Sequence, residues 1–358
     1  MKSAKFLSVT TRTSIFFVFL LFTLHASLAD KPATNSIEEL LGIYNRAVKE
    51  LMTSNYQEAV ALLQTLHKSV PDNFMVNYNL ACALARTGKY PEALKHLEKA
   101  VDSGFVDVKH IETDPDIDPL RQFPEYKAII EKAKQAGLKR AEELARIPEP
   151  ESVFLPSANK DEKMPLLIFL HGMGGCAEDL KPLFLPVTKS LKWNVLLPCG
   201  GVKLGFKLRP DGRPAYTWNL ETDSQRIIDE IKTISSSVNT NEIYIAGFSA
   251  GAKMAYNLGF SYPEIFSGII AFSGGITQLP SDEKRKEAVK RLPVFIVHGE
   301  NDNIAQFAAG QRSYEVLKKL GFKVQLKAFK GGHAIPKDYV EILKNAIEWM
   351  RTQKNSSG

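Results

Sequence analysis

Gly247-Phe248-Ser249-Ala250-Gly251 carries the clearest chemistry in this 358-residue chain. A serine between two glycines can present its hydroxyl as a nucleophile when it sits on a sharp turn from a strand into a helix. The flanks supply both elements. Glu242-Ile243-Tyr244-Ile245-Ala246 has the composition of a strand, and residues 250–258 read as a helix. Such a turn imposes a strained backbone on Ser249, and Gly247 and Gly251 take away Cβ atoms that would otherwise collide there. A serine hydroxyl is a weak nucleophile by itself. It needs a base, and an acid to orient that base.

Both partners can be sought in the order Ser, Asp, His that goes with this turn. An apolar run at 294–297 leads into His298-Gly299-Glu300-Asn301-Asp302. An acid just past a strand end can hold an imidazole in the correct tautomer, with Asp302 the first choice and Glu300 the alternative. A second run at 324–329 is followed by Lys330-Gly331-Gly332-His333, and His333 is the sole histidine after the acid. The other six fail by position: His25 lies in an N-terminal leader, His67, His96 and His110 in a repeat region, and His171 and His298 close strands. A helix-capping role is the alternative reading of His333. Upstream, residues 166–170 end in His171-Gly172-Met173-Gly174-Gly175. A glycine-rich turn there can aim a backbone N–H at a developing oxyanion, and the N–H of Ala250 would be the second donor. His171 is expected to hold this turn in place.

The motifs Leu-His-Gly-Met-Gly-Gly, Gly-Phe-Ser-Ala-Gly, His-Gly-Glu-Asn-Asp and Gly-Gly-His, in this order across residues 150–351, resemble the α/β-hydrolase superfamily. More narrowly, they resemble its phospholipase/carboxylesterase and dienelactone-hydrolase-like branch. The resemblance implies Ser249 as nucleophile, His333 as base and Asp302 as acid, with Met173 and Ala250 at the oxyanion-hole positions. One departure concerns the acid: Asn303-Ile304-Ala305-Gln306 stands where this branch often has a Val-Pro pair.

To position these groups, strands at 166–170, 194–197, 243–246, 268–272, 294–297 and 324–329 alternate with helical stretches. That is the signal of an α/β fold, with a mostly parallel sheet and helices on both faces. About twenty residues separate the strand ending at Phe272 from the one beginning at Val294, too few for a large helical lid. The connection from Gly200 to Glu221 carries Phe206, Tyr216 and Trp218 with Arg209 and Arg213. Tyr216 and Trp218 are candidates for lining an acyl or aromatic pocket, against the alternative of an ordinary packed loop.

The N-terminal half is organised differently. Lys2, Lys5 and Arg12 precede a short apolar run at 15–24 and a Ser27-Leu28-Ala29 cleavage pattern, so 1–29 reads as a signal peptide. The run is short for a membrane span, and export is expected, with no transmembrane segment once the leader is removed. Between 44–69 and 78–103, seven positions recur at a spacing of 34: Tyr44/Tyr78, Asn45/Asn79, Ala47/Ala81, Tyr56/Tyr90, Glu58/Glu92, Ala59/Ala93 and Leu63/Leu97. This resembles tetratricopeptide repeats, which pack as helix–turn–helix units. An all-α repeat domain is expected over 36–146, with a terminal helix within 111–130 and a charged, helix-prone stretch at 131–149. Asp114, Asp116, Asp118 and Glu125 mimic a calcium loop, but Pro119 occupies the position that needs glycine. Ile147-Pro148-Glu149-Pro150 marks the boundary, a catalytic domain spans 150–351, and 352–358 reads as a disordered tail.

The net charge of +6 falls to +3 once the leader's three cations are removed, too little for a nucleic-acid partner. Cys82 reads as a small buried thiol, and Cys176 and Cys199 as free thiols or a disulfide. The expectation is therefore an exported serine hydrolase cleaving carboxylic esters or thioesters of small molecules, with no metal or organic cofactor implied. The repeats would bind a protein or peptide partner, or pack on the hydrolase. Two alternatives stand: a serine peptidase of the prolyl-oligopeptidase type, and a catalytically inert scaffold.

Overall fold

The computed structural model describes residues 37–355 apart from 148, 150, 160, 205–214, 281–282 and 303. The signal-peptide segment, Phe206, Arg209 and Arg213 lie outside the described residues. Described residues up to 147 form one compact unit, and those from Glu149 onward, Leu204 aside, a second.

The first unit is built of helical hairpins: α1 (Ile37–Met52), α2 (Tyr56–Ser69), α3 (Phe74–Arg86) and α4 (Tyr90–Asp102). Ala47, Ala59, Ala81 and Ala93 are all fully buried, which lets the helices approach closely, while Leu63 and Leu97 fill the space between them. The hydroxyls of the recurring tyrosines find partners about 35 residues further along the chain. Tyr44 Oη accepts from Asn79 Nδ2 at 2.8 Å, and Tyr78 Oη donates to Asp114 Oδ2 at 2.8 Å. The segment after α4 thus stands in for a further repeat. It supplies α5 (Val108–Thr113), a 3₁₀ turn at Asp118–Leu120 and α6 (Pro124–Ala145). The charged stretch from 131 is no separate element, because it continues the terminal helix to Ala145. The aspartates of the calcium-like loop are taken up by the repeats and their own turn. Asp116 Oδ1 accepts from Tyr56 Oη at 3.3 Å and lies 3.6 Å from Arg86 Nε, and Asp118 pairs with Arg121 at 2.6 Å.

The second unit runs β1 (Val153–Leu155), β2 (Pro165–Leu170), α7 (Ala177–Ser190), β3 (Asn194–Leu197), β4 (Val202–Lys203), β5 (Tyr216–Thr217), α8 (Thr222–Ile234), β6 (Asn239–Phe248), α9 (Ala250–Ser261), β7 (Gly268–Phe272), α10 (Glu283–Lys290), β8 (Val294–Gly299), α11 (Phe307–Lys319), β9 (Val324–Phe329) and α12 (Tyr339–Asn355). Seven strands form one sheet in the order β1-β3-β2-β6-β7-β8-β9. The six anticipated strands are its parallel members, and β1 is an added antiparallel edge against β3. Every residue of β2, β3, β7 and β8 is buried, as helices on both faces require. The strand period of two sorts β6 into two cores, with Ile243 and Ile245 on one face and Tyr244 and Ala246 on the other. β4 and β5 form a separate two-stranded ribbon.

The expected tail from 352 is helix as far as Asn355. Its last turn is held from outside: Arg351 pairs with Glu242 at 2.6 Å, and Lys323 Nζ donates to the Gln353 carbonyl at 2.6 Å. A cation on the final carbonyls of a helix stabilises its C-terminus. Cys82, Cys176 and Cys199 form no disulfide, so none joins Cys176 and Cys199.

Candidate active site

The register of the sheet brings the chemistry to one edge. Leu170 of β2 pairs with Gly247 of β6, Phe248 with Phe272 of β7, Phe272 with Val297 of β8, and Gly299 with Phe329 of β9. The segments holding Gly172–Gly175, Ser249, Asp302 and His333 leave the C-terminal ends of these strands. That is where open α/β sheets bind ligands.

Ser249 sits between β6 and α9 at φ 55° and ψ −111°, a region that non-glycine residues rarely enter. The strain is over-determined by backbone contacts. Ser249 N–H donates to the Phe272 carbonyl at 2.9 Å, and its own carbonyl accepts from Ala252 and Lys253 to start α9. Gly251 is needed because a Cβ there would lie 2.1 Å from the Leu170 carbonyl oxygen. The first turn of α9 holds no acidic side chain to offset its positive end. The N–H groups of Met173 and Ala250, the two expected oxyanion donors, make no hydrogen bond among the described residues.

The turn carrying Met173 is braced on several sides. His171 is 2% exposed, accepts from Gly200 N–H on Nε2 at 2.9 Å and contacts the Gly172 carbonyl through Nδ1 at 2.7 Å. Gly174 N–H donates to the Tyr216 carbonyl at 2.8 Å, and Trp218 Nε1 donates to the His171 carbonyl at 2.8 Å. Tyr216 is 6% exposed and packs in the core, and Trp218 is half-buried against the His171 ring. Both residues expected at an acyl pocket thus also brace the turn that carries Met173, one through its carbonyl and the other through its indole.

Asp302 and His333 meet directly: His333 Nδ1–H donates to Asp302 Oδ2 at 2.8 Å, on a carboxylate with no exposed surface. The other oxygen, Oδ1, accepts from Ile304 N–H at 2.9 Å and Ala305 N–H at 2.8 Å. Ile304 and Ala305, which stand in the stretch that departs from a Val-Pro pair, thus turn their amides onto the acid. Glu300 is exposed, and its N–H donates to the Phe329 carbonyl. Close approach between the two loops depends on Gly299, where a Cβ would lie 2.4 Å from the Gly332 carbonyl oxygen. The His333 ring packs on Phe248, next to Ser249, at 4.8 Å between centroids. No hydrogen bond joins Ser249 and His333 among the described residues; such contacts often tighten only with substrate bound.

Burial pushes the Asp302 carboxyl up, but hydrogen bonds from His298 and His333, the charge of His333 and the Ile304 amide outweigh it and hold Asp302 well below the carboxylate range. A depressed pKa contributes stability that is complete above the unfolded value, about 3.9, and is lost as pH falls through the folded one. The stability deficit of Asp302→Asn, measured by urea unfolding, is therefore expected to be largest near neutral pH and to shrink below about pH 4.

Residues 213–351 match the phospholipase/carboxylesterase family, and residues 39–143 match a model described as an α/β-hydrolase-like N-terminal domain. The second unit has the α/β-hydrolase fold. Over 138 residues the chain is 31% identical to a probable carboxylesterase SOBER1-like of Arabidopsis thaliana, which is 37% of this chain and 49% of that one. Carboxylesterase SOBER1 of the same plant is 29% identical over 215 residues, 53% of this chain and 92% of its own. Acyl-protein thioesterase 1 of Gibberella zeae is 32% identical over 114 residues, 30% of this chain and 48% of its own. The chain spans about half the length of the first of these relatives. Sequence reading of the second unit missed the contact of His298 with Asp302. The one signal for it was a histidine closing the same strand that leads to Asp302.

Proposed function

We propose that the hydrolase domain is a serine esterase that cleaves carboxylic esters or thioesters through a Ser249 acyl-enzyme. The observation that carries this reading is the buried His333–Asp302 hydrogen bond beside the strained turn of Ser249. The match to the phospholipase/carboxylesterase family and the relatives named carboxylesterase and acyl-protein thioesterase support it. In the mechanism, Ser249 Oγ attacks the acyl carbon while His333 Nε2 takes the hydroxyl proton and Asp302 stabilises the resulting imidazolium. The oxyanion forms against the Met173 and Ala250 amides at the positive end of α9. His333 returns the proton to the departing alcohol or thiol, and water then repeats the sequence on the acyl-enzyme.

The connection between β7 and β8 holds only the eight-residue α10 among its described residues. With so little to cover the acyl group, soluble short-chain esters are expected to be cleaved at least as well as long-chain ones. A panel of short, long, aromatic and thioester acyl substrates measures this. Activity confined to long-chain lipid aggregates would contradict it.

The same reading places the chain outside the cytoplasm after cleavage behind Ala29, with the helical unit binding a protein partner or packing on the hydrolase domain. N-terminal sequencing of the protein from an exporting cell should then begin at Asp30. An N-terminus still at Met1 in the mature protein would refute export by this route.

A further inference from the structure

Asp302 faces a second imidazole besides His333. The His298 ring, wholly buried at the end of β8, directs Nε2 at the Ala305 carbonyl at 2.5 Å and lies 3.4 Å from Asp302 Oδ2. Both groups facing Nε2 are acceptors, so Nε2 carries the hydrogen. Nδ1 has no hydrogen-bond partner among the described residues and lies against Gly310 of α11, where a Cβ would come within 2.6 Å of it. The ring also meets Phe307 of α11 at 5.9 Å between ring centroids, and Ala328 lies beside it in β9. Among the described residues, the charged group against the ring is Asp302.

We propose that His298 is a positioning residue that holds Asp302 in the orientation that receives His333. Asp302 has two oxygens and three protein anchors. The Ile304 and Ala305 amides fix Oδ1, and the Ala305 residue is fixed in turn because His298 Nε2–H donates to its carbonyl. The same Nε2–H sits beside Oδ2, the oxygen that His333 uses. Without that donor the backbone is still tied at the Asp302 N–H, which donates to the Gly299 carbonyl at 3.2 Å, but Ala305 loses its tie to the end of β8 and Oδ2 is free to rotate away from His333. Positioning errors of about 1 Å at a reacting group can cost roughly 100-fold in rate. A merely structural histidine would need only to fill the space.

This inference rests on the esterase reading for its role in turnover, but the hydrogen bond it concerns can be observed without turnover. Two polar replacements separate donor from volume. Glutamine can place an N–H near the Nε2 position, whereas asparagine is too short to reach the Ala305 carbonyl. In His298→Asn, kcat is expected to fall about 10- to 100-fold with KM little changed, and His298→Gln should restore most of that loss. In an Asp302→Asn background, His298→Asn should cost less than about threefold more, because the two residues act through one contact. The low-field proton resonance of His333 Nδ1–H, read by NMR on the intact protein, should shift or broaden in His298→Asn and return in His298→Gln. An unchanged resonance in His298→Asn, or one lost equally in both variants, would overturn the proposal. If the wild-type protein hydrolysed no ester, the function above would fail, while this resonance would still decide the role of His298.

Discussion

Ser249→Ala is expected to lower ester turnover by about 10⁴-fold or more, because the residues of a triad act as a unit and the nucleophile has no substitute. The fold should survive. Ser249 is half-buried, and the turn is set by its backbone bonds to β7 and α9 rather than by the hydroxyl. The variant should therefore elute and unfold like the wild type. Ser249→Gly adds a finer expectation. A non-glycine residue at φ 55° stores roughly 1–3 kcal/mol of strain, which glycine releases at some cost in unfolded-chain entropy. It should be as inactive as Ser249→Ala yet unfold at equal or higher denaturant concentration. Near-wild-type kcat in either variant would mean that Ser249 is not the nucleophile.

The second large effect concerns the acid. Asp302→Asn keeps the shape of the side chain but replaces an acceptor of His333 Nδ1–H with a group that favours the wrong imidazole tautomer, at a cost of up to about 10⁴ in turnover. Glu300→Gln should cost little by comparison. Glu300 is exposed, and its loop position is fixed through its backbone N–H on Phe329, which the substitution leaves intact. Measuring kcat for both variants on one soluble ester at neutral pH separates the two carboxylates. A severe loss in Glu300→Gln with a mild one in Asp302→Asn would transfer the role to Glu300.

The parallel strands were legible because burial on both faces leaves near-continuous apolar runs, such as Val294 to Val297. Ser249, Asp302 and His333 could be singled out as candidates because each comes after such a run in a fixed chain order. What escaped had no such pattern. β1 has only three residues with one fully buried, flanked by prolines at 150 and 156, and its place at the sheet edge depends on β3 about forty residues later. Tyr216 and Trp218 were recognisable as aromatics near the site, but sequence cannot tell a ring that lines a pocket from a residue whose carbonyl or indole braces a turn. The final helix outran its expected end because its last carbonyls are met by Lys323, a contact between distant parts of the chain. The dual contact of His298 was hidden for a similar reason: its partners are an oxygen of Asp302 and a backbone carbonyl, and neither depends on a recognisable residue pattern.

The central claim is that Ser249 is an activated nucleophile, and a fluorophosphonate probe tests it most directly. The intact protein is incubated with the probe at neutral pH, digested, and the modified residue located by mass spectrometry. The account predicts a single stoichiometric adduct on Ser249, absent in Ser249→Ala and strongly slowed in a His333→Ala variant. No adduct on Ser249 in folded wild-type protein, or labelling at Ser249 that proceeds equally fast without His333, would contradict it.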